Sequence, residues 1–240
     1  MSPALRRRRE LGSSAALYRP RLGAVLALYY LYVAGVWLAS DRPEEGLWLS
    51  HLSLLLAGFG YATGFATLLG GTLVGIFLFH ALWCVDAVVW LATGVFPVGI
   101  TYYLESATAA QWLATIHHFF LFPLLAATLL RARAFRRAAW PMACLLFALA
   151  VSLARVLTPA AANVNGAFEP PPGIEGSFLD PLLRAVLDAI SGWGENAWPA
   201  VMVVCCSFGN FLPVALLFGL LQSRWKAVEP REQAHSRDLR

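Results

Sequence analysis

Six stretches of this chain are apolar for long enough to cross a lipid bilayer, and the connections between them are mostly short. The runs cover about 22–40, 47–67, 70–93, 108–130, 139–158 and 198–222. A helix rising 1.5 Å per residue needs about 20 residues to traverse a hydrocarbon core of about 30 Å. Inside that core every backbone amide must be bonded within the structure, so continuous apolar runs of this length specify helices. Composition agrees: 59% of the residues are hydrophobic and 13% charged, half the charge of about 25% that a soluble domain carries. A water-soluble globular body, a disordered chain, collagen and a disulfide-rich secreted fold are all excluded.

Charge orders the runs. The stretch before the first holds Arg6, Arg7, Arg8, Arg9, Arg19 and Arg21. The 131–137 connection holds Arg131, Arg133, Arg136 and Arg137, and the tail holds Arg224, Lys226, Arg231, Arg237 and Arg240. Six spans put these regions on one side, which the positive-inside rule makes the cytoplasm. Asp41, Glu44, Glu45, Glu105, Glu169, Glu175, Asp180, Asp188 and Glu195 fall on the other side, with only Arg42 and Arg184. The expected fold class is all-α: one integral membrane domain over 1–240, with six spans, both termini cytoplasmic, an outer loop at 159–197 and a tail at 223–240. The uncharged 67–72 stretch, Thr-Leu-Leu-Gly-Gly-Thr, is expected to be the turn between the second and third spans. The arginines before the first run suggest a signal peptide, but that run is too long and lacks a small-x-small cleavage site, so it is expected to be a retained span. The expected location is a bacterial cytoplasmic membrane.

The 159–197 loop begins with Asn163 and Asn165 and continues Phe168-Glu169-Pro170-Pro171-Pro172-Gly173, which predicts a turn or stiff extended segment. Leu179, Leu182, Leu183, Val186, Leu187 and Ile190 then recur at helical spacing, with Asp180, Arg184 and Asp188 on another face. This predicts an amphipathic helix over 177–191 on the outer membrane surface, ending at Gly192 and placed to act as a connector or a lid. Cys84, Cys144, Cys205 and Cys206 lie in apolar runs without CxxC spacing. They read as small buried hydrophobes, not metal ligands.

In so apolar a chain the informative residues are the polar ones inside the spans, where a charge costs at least about 2.5–3.5 kcal/mol. Asp86 and His80 fall in the third span, His117 and His118 in the fourth, Ser50 and His51 at the start of the second, Arg155 near the outer end of the fifth, and Asn210 in the sixth. Trp48, Trp90, Trp112 and Trp198 mark the outer interface, which biases this set toward the outer leaflet but leaves His80 near the midplane. Asp86 must be protonated or paired, with His80, His118 or Arg155 as candidates. Adjacent His117 and His118 are expected to point to different sides, so that one of them faces a given site.

Three chemistries suit such a set. Metal-dependent lipid oxidation uses many HxxxH or HxxHH boxes, and a single HH pair argues against it. Haem or quinone binding would use His80 with His117 or His118, at depths that differ by several ångström. Acyl transfer needs a hydroxyl, a histidine base and oxyanion donors, and Ser50 and His118 sit at comparable depth on different helices. Non-enzymatic roles, as a scaffold or transporter subunit, would leave Asp86, Arg155 and Asn210 as glue between helices.

The segment Leu49-Ser50-His51-Leu52-Ser53 after Trp48, with Trp112-Leu113, His118 and Pro123, resembles the androgen-induced and androgen-dependent TFPI-regulating proteins. That family consists of six-helix membrane hydrolases of fatty-acid esters. The resemblance implies Ser50 as nucleophile, where the family has Thr, and His118 as the second catalytic residue. The family's other nearby histidine falls on Thr115 here. The loop residues Asn163, Pro170 and Ser177-Phe178-Leu179-Asp180 look like bacterial YwaF-like membrane proteins, which again implies lipid acyl chemistry. On this expectation Ser50 attacks an acyl carbonyl and His118 takes its proton. Asp86 and His117 tune His118, with His80, Tyr103 and Arg155 in support and Asn163 and Asn165 shaping the loop above. The partner is a membrane lipid or fatty-acyl substrate, with further membrane proteins as possible partners and nucleic acid excluded. Neither a cofactor nor a metal is expected.

Overall fold

The structure, a computed structural model, describes residues 15–170, 180–194 and 196–224. Among these residues there are helices and turns and no strand. In chain order the helices are α1 (Pro20–Ala39), α2 (Leu49–Thr63), α3 (Ala66–Thr93), α4 (Ala109–Thr115), α5 (His117–Arg131), α6 (Ala139–Leu157), α7 (Asp180–Ile190) and α8 (Ala197–Arg224). Counting α4 and α5 as one broken rod, five of them are long and apolar enough to cross a membrane. The chain is an all-α polytopic integral membrane protein. The remaining apolar run forms α2, whose 15 residues measure about 22 Å.

The turn between α2 and α3 corrects the sequence expectation. It lies at Gly64-Phe65, where Gly64 adopts a left-handed conformation (φ +69°) that closes α2, as glycine does without a Cβ penalty. Residues 67–72, expected to turn, are instead inside α3. Their glycines serve helix packing. A Cβ on Gly71 would stand 2.4 Å from Met142 Cγ and 3.3 Å from the Ala143 amide nitrogen of α6. Without a hydrophobic force between helices in lipid, close approach of backbones through small residues supplies the packing energy. α3 is thereby drawn into the centre of the bundle, and it is the most buried of the five long helices.

The fourth apolar run is broken. α4 begins with a capping box between Thr108 and Gln111 and ends at Thr115, and α5 begins one residue later. At the break the amide of Phe119 bonds the carbonyl of Ile116 at 3.1 Å, one residue short of the α-helical partner. The carbonyl of Thr115 is thereby released. The Trp90 and Trp112 rings stack 6.0 Å apart, joining the end of α3 to α4.

The connection after α6 consists of short helical turns held by side chains. Asn163 (φ +42°) accepts from the amides of Phe168 and Glu169 and donates to the Glu169 carbonyl. Asn165 (φ +57°) reaches further. Its Oδ1 accepts from the Leu49 amide at 2.7 Å, and its Nδ2 donates to the carbonyls of Leu47 and Ala150. One buried amide thus joins the loop, the start of α2 and the body of α6. Arg155 donates to the Ala167 carbonyl and to Asn196, with its guanidinium over the Phe168 ring. α7 is described over Asp180–Ile190, and residues 171–179, which carry the rest of the Pro-rich stretch and the first residues of the expected 177–191 helix, lie outside the described residues. The four cysteines are unpaired, but Cys205 is exposed on the bundle surface instead of buried. α8 carries a π-helical segment at Cys206–Phe211.

Candidate metal centre

Four of the five histidines of the chain meet in one place. Ring centroids lie 4.2 Å apart for His117 and His118, 4.4 Å for His80 and His118, and 5.5 Å for His80 and His117. His51 joins from α2, 5.3 Å from His117 and 6.4 Å from His118. All four are buried, with His80 and His117 fully so. Two sequence expectations are corrected here. His117 and His118 both face the cluster, because they open α5 just after the break at Ile116, where the backbone is not that of a continuous helix. His80 and His118, for which the sequence implies different depths, meet because the helices that carry them, α3 and α5, pack against each other.

The hydrogen bonds fix what each ring offers. A carbonyl oxygen only accepts, so a ring nitrogen bonded to one must carry the proton. His118 Nδ1 donates to the Thr115 carbonyl at 2.7 Å, the carbonyl released at the break. His51 Nδ1 donates to the Glu45 carbonyl at 2.7 Å. Each therefore presents Nε2 as a lone pair. His117 is frustrated: Nδ1 faces the Ala114 carbonyl at 3.0 Å and Nε2 the Ser50 carbonyl at 3.1 Å, and a neutral imidazole can donate to only one. His80 is more so, since neither of its ring nitrogens has a hydrogen-bond partner among the described residues. An unpaired polar atom in an apolar interior costs about 1–3 kcal/mol.

One ligand atom from each of His80, His117 and His118 lies within 4.8 Å of the others. Nitrogens bound to a common ion at about 2.0–2.1 Å stand roughly 3.5 Å apart, so closure takes inward movement of about an ångström. Metal-bound histidines almost always donate their other ring N–H to a carbonyl, carboxylate or water, which sets tautomer and orientation. His117 and His118 have that second partner in place. His80 supplies the bare imidazole, and a bound ion would relieve both frustrated rings.

The other expected site residues divide around this cluster. Ser50 touches it through its backbone carbonyl, and no hydrogen bond joins its hydroxyl to His118 among the described residues. Asp86 is fully buried, yet its carboxylate meets no imidazole. It accepts from the amides of Val98, Gly99 and Thr101 and from the Thr101 hydroxyl. This folds the 98–101 turn onto the outer part of α3. Arg155 serves the outer loop, as do Asn163 and Asn165, the last of which fixes the start of α2 beside Ser50 and His51. Tyr103 reaches the cluster at one remove. Its hydroxyl, pushed up in pKa by burial, accepts from Trp83 Nε1 at 2.9 Å, and the Trp83 ring stacks on His118 at 4.4 Å and 15°. Glu45, the acid on the outer turn, has its carboxylate engaged by Arg42 and Trp48 Nε1, while burial raises its pKa above the ordinary carboxylate range.

Sequence reasoning paired His80 with His117 or His118 as one alternative, and missed that His51 joins them and that the Trp83 ring covers His118. The available signal was the concentration of His51, His80, His117 and His118 within apolar runs, with only His235 elsewhere. Comparison of the chain with protein families, with curated proteins and with solved structures finds no match.

Proposed function

We propose that this chain is an integral membrane metalloprotein in which His80, His117 and His118 hold one transition-metal ion. The observation that carries this reading is a convergence of nitrogens from α3 and α5 in which His118 directs its outer N–H to a carbonyl, His117 has a carbonyl at each ring nitrogen and gives its proton to one of them, and His80 has no partner among the described residues. Imidazole donors suit zinc, copper, iron and nickel, while carboxylate and carbonyl donors suit magnesium and calcium. In this reading the chain crosses the membrane six times, with α2 as the sixth span and both termini in the cytoplasm. The charge distribution supports this, and it puts the histidines in the outer half of the bilayer. The test is metal analysis of the full chain purified in detergent. One ion per chain in the wild type, absent from His118→Ala and His80→Gln proteins that still elute as monodisperse species, supports the reading. Wild-type protein that takes up no ion when offered copper, zinc or iron sinks it.

The acyl-transfer reading stands as a second proposal, favoured by the position of Ser50 against the same cluster. It requires the Ser50 hydroxyl to turn toward His118, whose Nε2 is the basic atom left when Nδ1 is held by Thr115. Labelling by a fluorophosphonate probe that disappears in Ser50→Ala would support it.

A further inference from the structure

We infer that the ion held by His80, His117 and His118 is monovalent copper; the inference rests on the metalloprotein reading above and adds the identity of the ion. Every donor in the cluster is an imidazole, which binds a metal ion in its neutral form. Two acids on adjoining segments are committed elsewhere: Asp86, on the same helix as His80, to the backbone and hydroxyl donors of residues 98–101, and Glu45, whose carbonyl holds His51, to Arg42 and Trp48. Among the described residues no carboxylate joins the group of three to offset the charge of an ion. The three rings are 0–5% exposed, and Trp83 lies flat on His118, which keeps water from that face.

In such surroundings the cost of a charge rises with its square, so a divalent ion with neutral ligands is about four times as expensive to bury as a monovalent one. Zinc or ferrous iron would have to bring an anion with it. Copper(I) brings half the charge and imposes no d-electron geometry. It is satisfied by a small number of nitrogen donors, which matches the three that converge. The remaining ring, His51, is not among the three that close on a common point; it lies 5.3 Å from His117 and 6.4 Å from His118, with Nδ1 donating to the Glu45 carbonyl. Loading the site is a plain ligand exchange: copper(I)–nitrogen bonds form as those to the carrier break, and neither electrons nor protons are exchanged if the rings are neutral beforehand.

The experiment uses the full chain in detergent, stripped of metal and kept anaerobic. Copper(I) is delivered from its bicinchoninate complex and the competition read by absorbance. Zinc(II) and iron(II) are titrated separately. The expected result is one copper(I) per chain, bound at least about tenfold more tightly than zinc or iron. Binding should weaken by roughly a hundredfold or more in His118→Ala and His80→Gln and stay unchanged in His235→Ala. X-ray absorption of the copper-loaded wild type, which depends on no variant, should show nitrogen donors only. Preferential binding of zinc or iron at the same histidines overturns the copper assignment and leaves the metalloprotein reading intact. Failure of all three ions to bind stoichiometrically overturns that earlier reading as well. Sulfur in the copper shell would assign the ion to the cysteines and overturn the inference.

Discussion

His118 donates from Nδ1 to the Thr115 carbonyl at 2.7 Å. In a continuous α-helix that carbonyl would belong to the amide of Phe119, which here bonds Ile116 instead. A one-residue break thus does two things at once: it turns both His117 and His118 toward His80, and it supplies the acceptor that leaves Nε2 of His118 as a lone pair. The chemistry of the cluster follows from this backbone irregularity as much as from the side chains.

His80 is the clearest place to see function compete with stability. Without an ion both its nitrogens are buried and have no hydrogen-bond partner among the described residues. Leucine of similar volume removes that penalty, so His80→Leu should stabilise the metal-free protein by about 1–2 kcal/mol while abolishing metal uptake. Thermal unfolding in detergent with a chelator present measures the first effect, and metal analysis the second. A lower midpoint for His80→Leu would mean that His80 has a partner in the apo protein.

Asp86 should behave as a structural residue. Its oxygens accept four hydrogen bonds from residues 98–101, and an asparagine would replace one acceptor oxygen with a donor facing donors. Asp86→Asn is expected to cost about 2–4 kcal/mol and to raise proteolysis at the 98–101 turn, with metal stoichiometry retained. Full stability in the variant would refute this role.

At Asn165 two costs can be separated. Alanine loses the bonds to Leu47, Leu49 and Ala150 and must also hold a positive φ. Glycine loses the same bonds without the strain. Asn165→Ala should therefore be less stable than Asn165→Gly by about 1 kcal/mol, with both clearly below wild type. Equal melting points for the two variants would show that backbone strain plays no part.

A side chain at Gly71 must displace α6, because its Cβ would stand 2.4 Å from Met142 Cγ. Gly71→Leu is expected to destabilise by about 1–3 kcal/mol or more, and Gly71→Leu/Met142→Ala should recover part of that. No recovery would mean that the contact with the Ala143 backbone, at 3.3 Å, dominates.

Ser50 contributes a carbonyl to the cluster, which any residue supplies. Ser50→Ala should keep its metal with unchanged stoichiometry. Loss of metal from this variant would mean that the hydroxyl takes part in holding the ion.

Much of the architecture was legible in the chain. The 139–158 run became α6 at 139–157, because length and hydropathy fix a spanning helix wherever lipid forbids unpaired amides. The Gly-Gly pair at 70–71 misled, because glycine serves both turns and close helix contacts, and local sequence carries no sign of which is needed. The helical spacing of 179–190 marked α7, which ends at Ile190, one residue short of the expected end.

By itself the sequence determined the membrane class and the residues worth watching: so few polar groups lie in the apolar runs that His51, His80, His117 and His118 stand out unaided. Tertiary structure alone decided that they meet. Helical periodicity assigns neighbouring histidines to different faces, and it held until the chain broke at Ile116. The depth scale separated His80 from His118 until α3 packed against α5. Asp86, an equally conspicuous residue, went to the amides of a turn twelve to fifteen residues away. Which polar groups pair inside a membrane depends on how helices pack against one another, and that packing is a property of the assembled bundle and not of any one segment.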